Sequence, residues 1–262
     1  MTAHLDRFGP VLQRPSDIRV IGVDCATQPR NVGLALCTFT RGGPRVEEVA
    51  IGKSWPSIDD QVGQWLSATT LIALDAPLGW PVPLSEALVD HQAGEELLNN
   101  ANRLFRRRTD DVVAEALGKR PLDVGADRIA RTAHTALSFV GRLRDTHHLP
   151  IPLAWEPGWA QSVAAIEVYP AGTLASRELP YSGYKGAGSK VTALRERIVG
   201  AVAEEMTFDA PVTEAMIQSD HMLDAVLCAL AGCDFLQGSV MVPEDLELAQ
   251  REGWIWVHGV GR

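Results

Sequence analysis

The sequence predicts a single α/β domain over residues 1–262: a mixed sheet flanked by helices, with a helical insertion at 84–160. Three short runs carry that expectation. Val20-Ile21-Gly22-Val23, Leu71-Ile72-Ala73-Leu74 and Val163-Ala164-Ala165-Ile166 hold no polar side chain, so they read as central strands buried on both faces. Each run is followed at once by an acid: Asp24, Asp75 and Glu167. In an open sheet with parallel neighbours, ligands gather beyond the carboxyl ends of the strands, so these acids are expected to share one crevice. Left uncompensated they would repel one another, and a divalent cation removes that cost.

Residues 18–24, 32–39 and 45–52 read as three successive strands, the last two separated by the turn Arg41-Gly42-Gly43-Pro44, which implies antiparallel pairing. Ser57 is the expected cap of a helix running to about Leu66, and the strand Leu71–Asp75 follows as a crossover requires. Asp75-Ala76-Pro77-Leu78-Gly79-Trp80-Pro81 then halts regular structure, because proline lacks a donor and biases its predecessor away from helix. From Ser85 to His148 the pattern is helical. Its strongest segment is Ala126–Leu143, where Ile129, Ala133, Ala136, Leu137 and Val140 recur at helical spacing. After a Pro-, Gly- and Trp-rich loop at 149–161, a strand is expected through Glu167-Val168-Tyr169. Helices are then expected from about Ala171, over Lys190–Met206 and over Asp220–Phe235, with Trp254–Val257 as a short edge strand.

Composition narrows the function. At 46% hydrophobic and 22% charged, the chain has the balance of a globular protein, and no apolar stretch approaches the roughly 18–20 residues that span a bilayer. Met1–Ser16 lacks a secretory apolar core, and Cys25, Cys37, Cys228 and Cys233 form neither a CxxC pair nor a disulfide framework, so a reducing cytoplasm is the expected location. A net charge of −9 argues against broad attraction to nucleic acid, leaving any such role to a local basic patch.

Asp220-His221-Met222-Leu223-Asp224 opens a helix that continues almost wholly apolar to Leu230, with its two aspartates on one face of the first turn. Acids favour helix N-termini, so Asp220 alone reads as a cap. A carboxylate on a helix that must be buried needs a partner or a metal, which singles out Asp224. Ile21 to Asp24, Ala73 to Gly79, Ile166 to Pro170 and Asp220 to Leu230, in that order, resemble domain-of-unknown-function family 429, whose members are described as predicted RNase H-like nucleases. Arg108-Thr109-Asp110 followed by Leu117-Gly118-Lys119-Arg120-Pro121 resembles the family's arginine/aspartate signature, and the resemblance runs over roughly residues 18–235. It implies an RNase H-like sheet in strand order 3-2-1-4-5, and the last helix is similar to that of the Holliday-junction resolvase branch. Carried over, it makes Asp24, Asp75 and Asp224 the catalytic, metal-holding acids, with Asp220 as a fourth; Glu167 has no secure counterpart there and stays a candidate by position.

The implied activity is phosphodiester hydrolysis with Mg²⁺ or Mn²⁺, two ions about 3.5–4 Å apart assisting in-line displacement. Nucleic acid, structured or single-stranded, is the implied partner, and a homodimer is compatible. A phosphotransferase or ATPase of the actin and sugar-kinase branch shares the sheet, but its duplicated architecture does not fit 262 residues with one set of strands. A non-catalytic binding module is the other alternative.

For substrate, Arg106, Arg107, Arg108, Lys185 and Lys190 are the cations best placed in sequence to flank the acids. Against this stands pairing of the arginines with Asp110, Asp111 and Glu115, the expected role of Arg142 and Arg144 further on. Tyr184-Lys185-Gly186-Ala187-Gly188-Ser189-Lys190 leads into a helix and suits an anion, but its residue order is not that of a Walker loop. His91, His134, His147 and His148 read as satisfied or solvated; His221 differs in standing beside Asp220, where it would orient water or a leaving group. Trp55, Trp80, Trp155 and Trp159 suit base stacking or packing under loops, and Cys25 reads as a packed small residue.

Overall fold

The first apolar run extends as β1 (Asp17–Asp24) and takes the centre of a five-stranded sheet. β2 (Gly33–Thr40) and β3 (Gly43–Ile51) join it antiparallel, while β4 (Thr70–Leu74) and β5 (Val163–Glu167) join parallel on its other side, giving the order β3-β2-β1-β4-β5. The order and the mixture of directions are those the sequence predicts. The computed structural model describes residues 17–125, 127–158 and 162–259, so the segments Met1–Ser16 and Trp159 lie outside the described residues.

Between β3 and β4 runs α1 (Trp55–Trp65). Its cap is Ser54, whose hydroxyl accepts the Ser57 N–H at 3.3 Å, so the expected cap Ser57 instead lies in the first turn behind Pro56. Among the described residues, four helices separate β4 from β5: α2 (Val82–Leu88), α3 (Ala101–Phe105), α4 (Arg108–Leu117) and the long α5 (Asp127–His147). β5 stops at Glu167, short of the expected Tyr169, because Pro170 opens α6 (Pro170–Ala175). α7 (Ser189–Val202), α8 (Ala210–Gln218), α9 (Asp220–Gln237) and α10 (Leu246–Glu252) complete the chain. The sequence reading lacks α8 and α10. Their start signals are short but present: Asp209 and Asp245 each accept the backbone N–H three residues on, at 3.0 and 2.9 Å. Trp254–Val257 forms no named strand; Ile255 makes one parallel bridge to Glu167, and the Trp256 N–H donates to the Glu167 carbonyl at 2.9 Å. No helix among the described residues is long and apolar enough to cross a membrane.

Both sheet faces are covered, and alternation assigns the side chains. Ile18 and Val20 of β1, Leu71 and Ala73 of β4, and Ala164 and Ile166 of β5 join one core with α7, α8 and α9. Ile21 and Val23, Ile72 and Leu74, and Val163 and Ala165 join the other with α1 and α5, where Ala136, Phe139, Val140 and Leu143 of α5 are buried. In the parallel register Val23, Leu74 and Glu167 are aligned neighbours. Residues level with one another share a face, so Glu167 follows Leu74 toward the α1/α5 side. Asp24 and Asp75, one step further along, turn to the α9 side.

α9 is buried along nearly its whole length and lies directly on β1 and β2, where glycines remove the side chains in its path. A Cβ on Gly22 would stand 1.9 Å from the Ala225 carbonyl oxygen, and one on Gly33 would stand 1.9 Å from that of His221. These contacts bring the first turn of α9 over the end of β1. Gly22→Ala should therefore push α9 away, costing about 1–3 kcal/mol or more as an overpacked core does. Urea unfolding checks this: an unchanged midpoint would mean that α9 is not seated by that contact.

Candidate active site

Asp24, Asp75 and the start of α9 meet at the carboxyl edge of β1 and β4. Asp24 closes β1; the Asp75 N–H donates to the Val23 carbonyl at 2.9 Å, tying the two strand ends together. Asp224 sits one turn into α9, fully buried, one residue before the Ala225 that touches Gly22. The three charges act on one another. Burial raises the Asp75 carboxyl well above the ordinary range and the nearby Asp24 raises it further. Asp24 is also raised, by burial, although hydrogen bonding to His221 and the charge of Lys185 oppose it. Burial and Asp24 together lift Asp224 to about 6 against the pull of Lys185 and Tyr184.

Each acid has its own partners. His221 Nδ1 stands 2.7 Å from Asp24 Oδ2; an ionised carboxylate can only accept, so Nδ1 carries the proton, and the bond to Asp24 raises the imidazole's pKa. The Tyr184 hydroxyl donates to Asp224 Oδ1 at 2.7 Å. The other oxygen, Asp224 Oδ2, is buried and is held by the Lys185 ammonium, 2.6 Å away as an ion pair. Although 59% of the Lys185 side chain is exposed, its head lies on a carboxylate that is 1% exposed; burial pulls the ammonium pKa down, but Asp224 outweighs it and holds it up. Asp220, at the helix start, accepts the Gly186 N–H at 2.9 Å. Cys25 remains a thiol, since burial and Asp75 push its pKa well up.

Among the described residues, no three His, Cys, Asp or Glu side chains are grouped so as to hold a metal ion. The sequence expectation of a ready-made cluster of Asp24, Asp75 and Asp224 is corrected to that extent, and the partners give the reason: His221 holds Asp24, while Tyr184 and Lys185 hold Asp224. The donor chemistry nevertheless suits a hard cation. The group offers carboxylate oxygens, and the buried Asp224 Oδ2 already holds a cationic group, the Lys185 ammonium.

Glu167 is not part of this group. Its alternation turns it to Arg107, whose guanidinium binds both of its oxygens at 2.7 and 2.8 Å, while the Leu78 N–H donates to Oε2 at 2.9 Å. Arg107 is itself buried and also grips Asp110, at 2.9 and 3.3 Å. Burial lowers the guanidinium pKa, but Glu167 and Asp110 outweigh it and keep the charge fixed; burial raises the Glu167 carboxyl despite the arginine. Arg107 therefore has no face left for a substrate phosphate. The structure makes it a clasp between the β5 end and α4 rather than a surface cation. Glu252, buried on α10, extends this clasp by accepting the Val82 and Arg108 N–H groups, both at 2.8 Å.

Of the other predicted cations, Arg106 pairs with Asp123 at 3.1 Å, and exposed Arg108 has Glu115 and Glu244 3.9 Å away. Lys190 is exposed in the first turn of α7. Arg142 binds Asp59 through two nitrogens and Arg144 binds the carbonyls of Pro150 and Ile151, so both are engaged, though not with the expected Asp110, Asp111 or Glu115. His91, His134 and His148 are exposed. Trp55 lies under Arg142 at 5.0 Å, and Trp155 packs against the core. Sequence reasoning missed Tyr184 and also Arg195, whose guanidinium binds the carbonyls of Tyr184 and Gly186 at 2.8 and 3.0 Å. A tyrosine beside a basic glycine-rich loop was the only available signal. A cavity of about 770 Å³ between α4 and α10, lined by Arg108, Val112, Met241 and Trp254 among others, does not include the acids.

A family model for a protein of unknown function, DUF429, matches residues 22–248. The chain belongs to the DUF429 family. The match takes in every acid of the site and, from Gly22 of β1 onward, the sheet that carries them. No curated protein matches this DUF429 chain.

Proposed function

We propose that this DUF429 chain is a divalent-metal-dependent nuclease that hydrolyses phosphodiester bonds in nucleic acid. The observation that carries the reading is the meeting of Asp24, Asp75 and Asp224 at the ends of two adjacent parallel strands and the first turn of a buried helix, with the buried Asp224 Oδ2 neutralised by the Lys185 ammonium. Asp24, Asp75 and Asp224 would hold Mg²⁺ or Mn²⁺, with Asp220 at the edge. When bound, such ions neutralise phosphate charge and make water a stronger nucleophile. Around them, Tyr184 orients Asp224, and His221 orients Asp24 and presents an imidazole that can carry a proton beside it. A cytoplasmic location accords with four free cysteines, three of them buried.

The test is Mn²⁺-dependent cleavage of single strands, duplexes, RNA–DNA hybrids and branched junctions by wild type and Asp24→Asn. Cleavage that disappears with Asp24→Asn supports the reading, and absence of both binding and cleavage on all four substrates at low salt defeats it. A second reading, a binding module without catalysis, draws on the Lys185–Asp224 pair, which already neutralises one acid without a metal. Binding without cleavage at any Mn²⁺ concentration would favour that module.

Substrate contact is assigned to the exposed cations, since the net charge is −9. The double charge reversal Arg108→Glu/Lys190→Glu should weaken binding across all sequences and lower the salt-dependence slope by up to about 1.8. Fluorescence anisotropy over a salt series measures both, and an unchanged slope would remove these residues from the interface.

A further inference from the structure

We propose that Lys185 is an exchangeable counter-ion of this site: its ammonium holds Asp224 Oδ2 until a divalent cation takes that oxygen, and the released ammonium then contacts a substrate phosphate. The inference rests on the metal-dependent reading above and extends it to how the site is loaded.

Three observations carry it. First, Asp224 is a fixed acceptor whose two oxygens have different partners. Tyr184 donates to Oδ1 at 2.7 Å, and the buried Oδ2 is held by the Lys185 ammonium at 2.6 Å. An ammonium and a divalent cation cannot both take one carboxylate oxygen at contact distance, so they compete.

Second, the backbone on both sides of Lys185 is anchored while its side chain is not. Buried Arg195 binds the carbonyls of Tyr184 and Gly186, and Asp220 accepts the Gly186 N–H at 2.9 Å. Gly186 and Gly188 take φ of +91° and +124°, backbone that L side chains rarely adopt, which holds the turn in this shape. With 59% of its side chain in solvent, Lys185 can swing its head away by rotating its own stem, and the loop need not unfold.

Third, charge balance favours the exchange once substrate is present. Without metal, the single positive charge offsets Asp224 and is felt by Asp24 and Asp75 as well. A divalent cation supplies twice that charge to the same acids, and a phosphate arriving beside them offers the ammonium a new partner.

The experiment uses the full chain with Mn²⁺ alone, titrated by calorimetry at neutral pH into wild type, Lys185→Met, Lys185→Arg and Asp75→Asn, followed by thermal melts with and without the metal. Lys185→Met should bind Mn²⁺ about tenfold more tightly than wild type, since the competing charge is gone. Its metal-free form should melt lower, with an uncompensated Asp224, and its gain on adding Mn²⁺ should be larger. Lys185→Arg keeps the charge and should stay near wild type, which guards against a general folding effect. A single-stranded oligonucleotide in the presence of Ca²⁺ should bind more weakly to Lys185→Met than to wild type. That opposite movement of metal and phosphate affinity is not what a merely structural lysine would produce. If wild type binds Mn²⁺ and Lys185→Met binds it no more tightly, the exchange is overturned while the metal-dependent reading stands. If wild type, Lys185→Met and Asp75→Asn all fail to bind Mn²⁺, that reading falls and the exchange with it.

Discussion

Replacing Arg107 with methionine is expected to destabilise the protein by about 3–5 kcal/mol, the range for breaking a buried ion pair by removing one partner. The side chain is 1% exposed and bridges Asp110 and Glu167, which are 0% and 3% exposed, so its loss leaves two buried carboxylates facing one another without a cation. Glu167 would keep only the Leu78 N–H, and Asp110 only the backbone N–H of residue 107. Arg107→Lys should recover little, because one ammonium cannot reproduce the two-sided, bidentate geometry. Urea unfolding followed by circular dichroism measures the loss. A stable Arg107→Met variant with weakened nucleic-acid binding would return this residue to the surface role that its place in the Arg106-Arg107-Arg108 run suggests.

Asp75→Asn should remove Mn²⁺-dependent cleavage by about 100-fold or more while making the metal-free protein more stable. The two effects have one cause. Asp75 is raised well above the ordinary carboxylate range by burial and by the neighbouring Asp24, so keeping it charged at neutral pH costs folding energy that a neutral amide does not. The expected gain is on the order of 1 kcal/mol, or a Tm rise of roughly 2–4 °C, measured in EDTA. The sign with pH follows from the direction of the shift. A carboxyl whose folded pKa is raised is protonated more readily in the folded than in the unfolded protein. Its wild-type penalty is therefore absent below the ordinary carboxylate range and appears as pH rises through the folded value. The advantage of Asp75→Asn should be small in acid and grow toward neutrality. An advantage that shrinks with rising pH would mean that Asp75 is stabilised as an anion in the metal-free site.

The central strands were legible because they are buried on both faces: a run such as Leu71-Ile72-Ala73-Leu74 has no amphipathic alternative, and the acid after it marks the strand end. The same double burial concealed which way each acid turns. A run that is apolar on every residue carries no alternation from which to read a face, so Glu167 looks equivalent to Asp24 and Asp75 in sequence. Only the register Val23–Leu74–Glu167 separates them, placing Glu167 opposite Arg107 and the other two beneath α9. The burial of α9 was readable from its composition, and with it the exceptional standing of Asp224. Its seating on Gly22 and Gly33, which brings Asp224 and His221 to the end of β1, was not.

Charge was where sequence adjacency misled most. Arg106, Arg107 and Arg108 are consecutive, yet the middle one is buried in a clasp while its neighbours reach Asp123 on one side and Glu115 and Glu244 on the other. Lys185 lies 39 residues before Asp224, and nothing local joins them; packing of the loop onto the helix does. The sequence by itself determined the sheet, its order by resemblance, and the acids at its carboxyl edge, because strand burial and helix burial leave residue-type patterns along the chain. The tertiary structure decided the partner of each charge, because ion pairs and hydrogen bonds act over a few ångströms of space between residues that the sequence holds far apart.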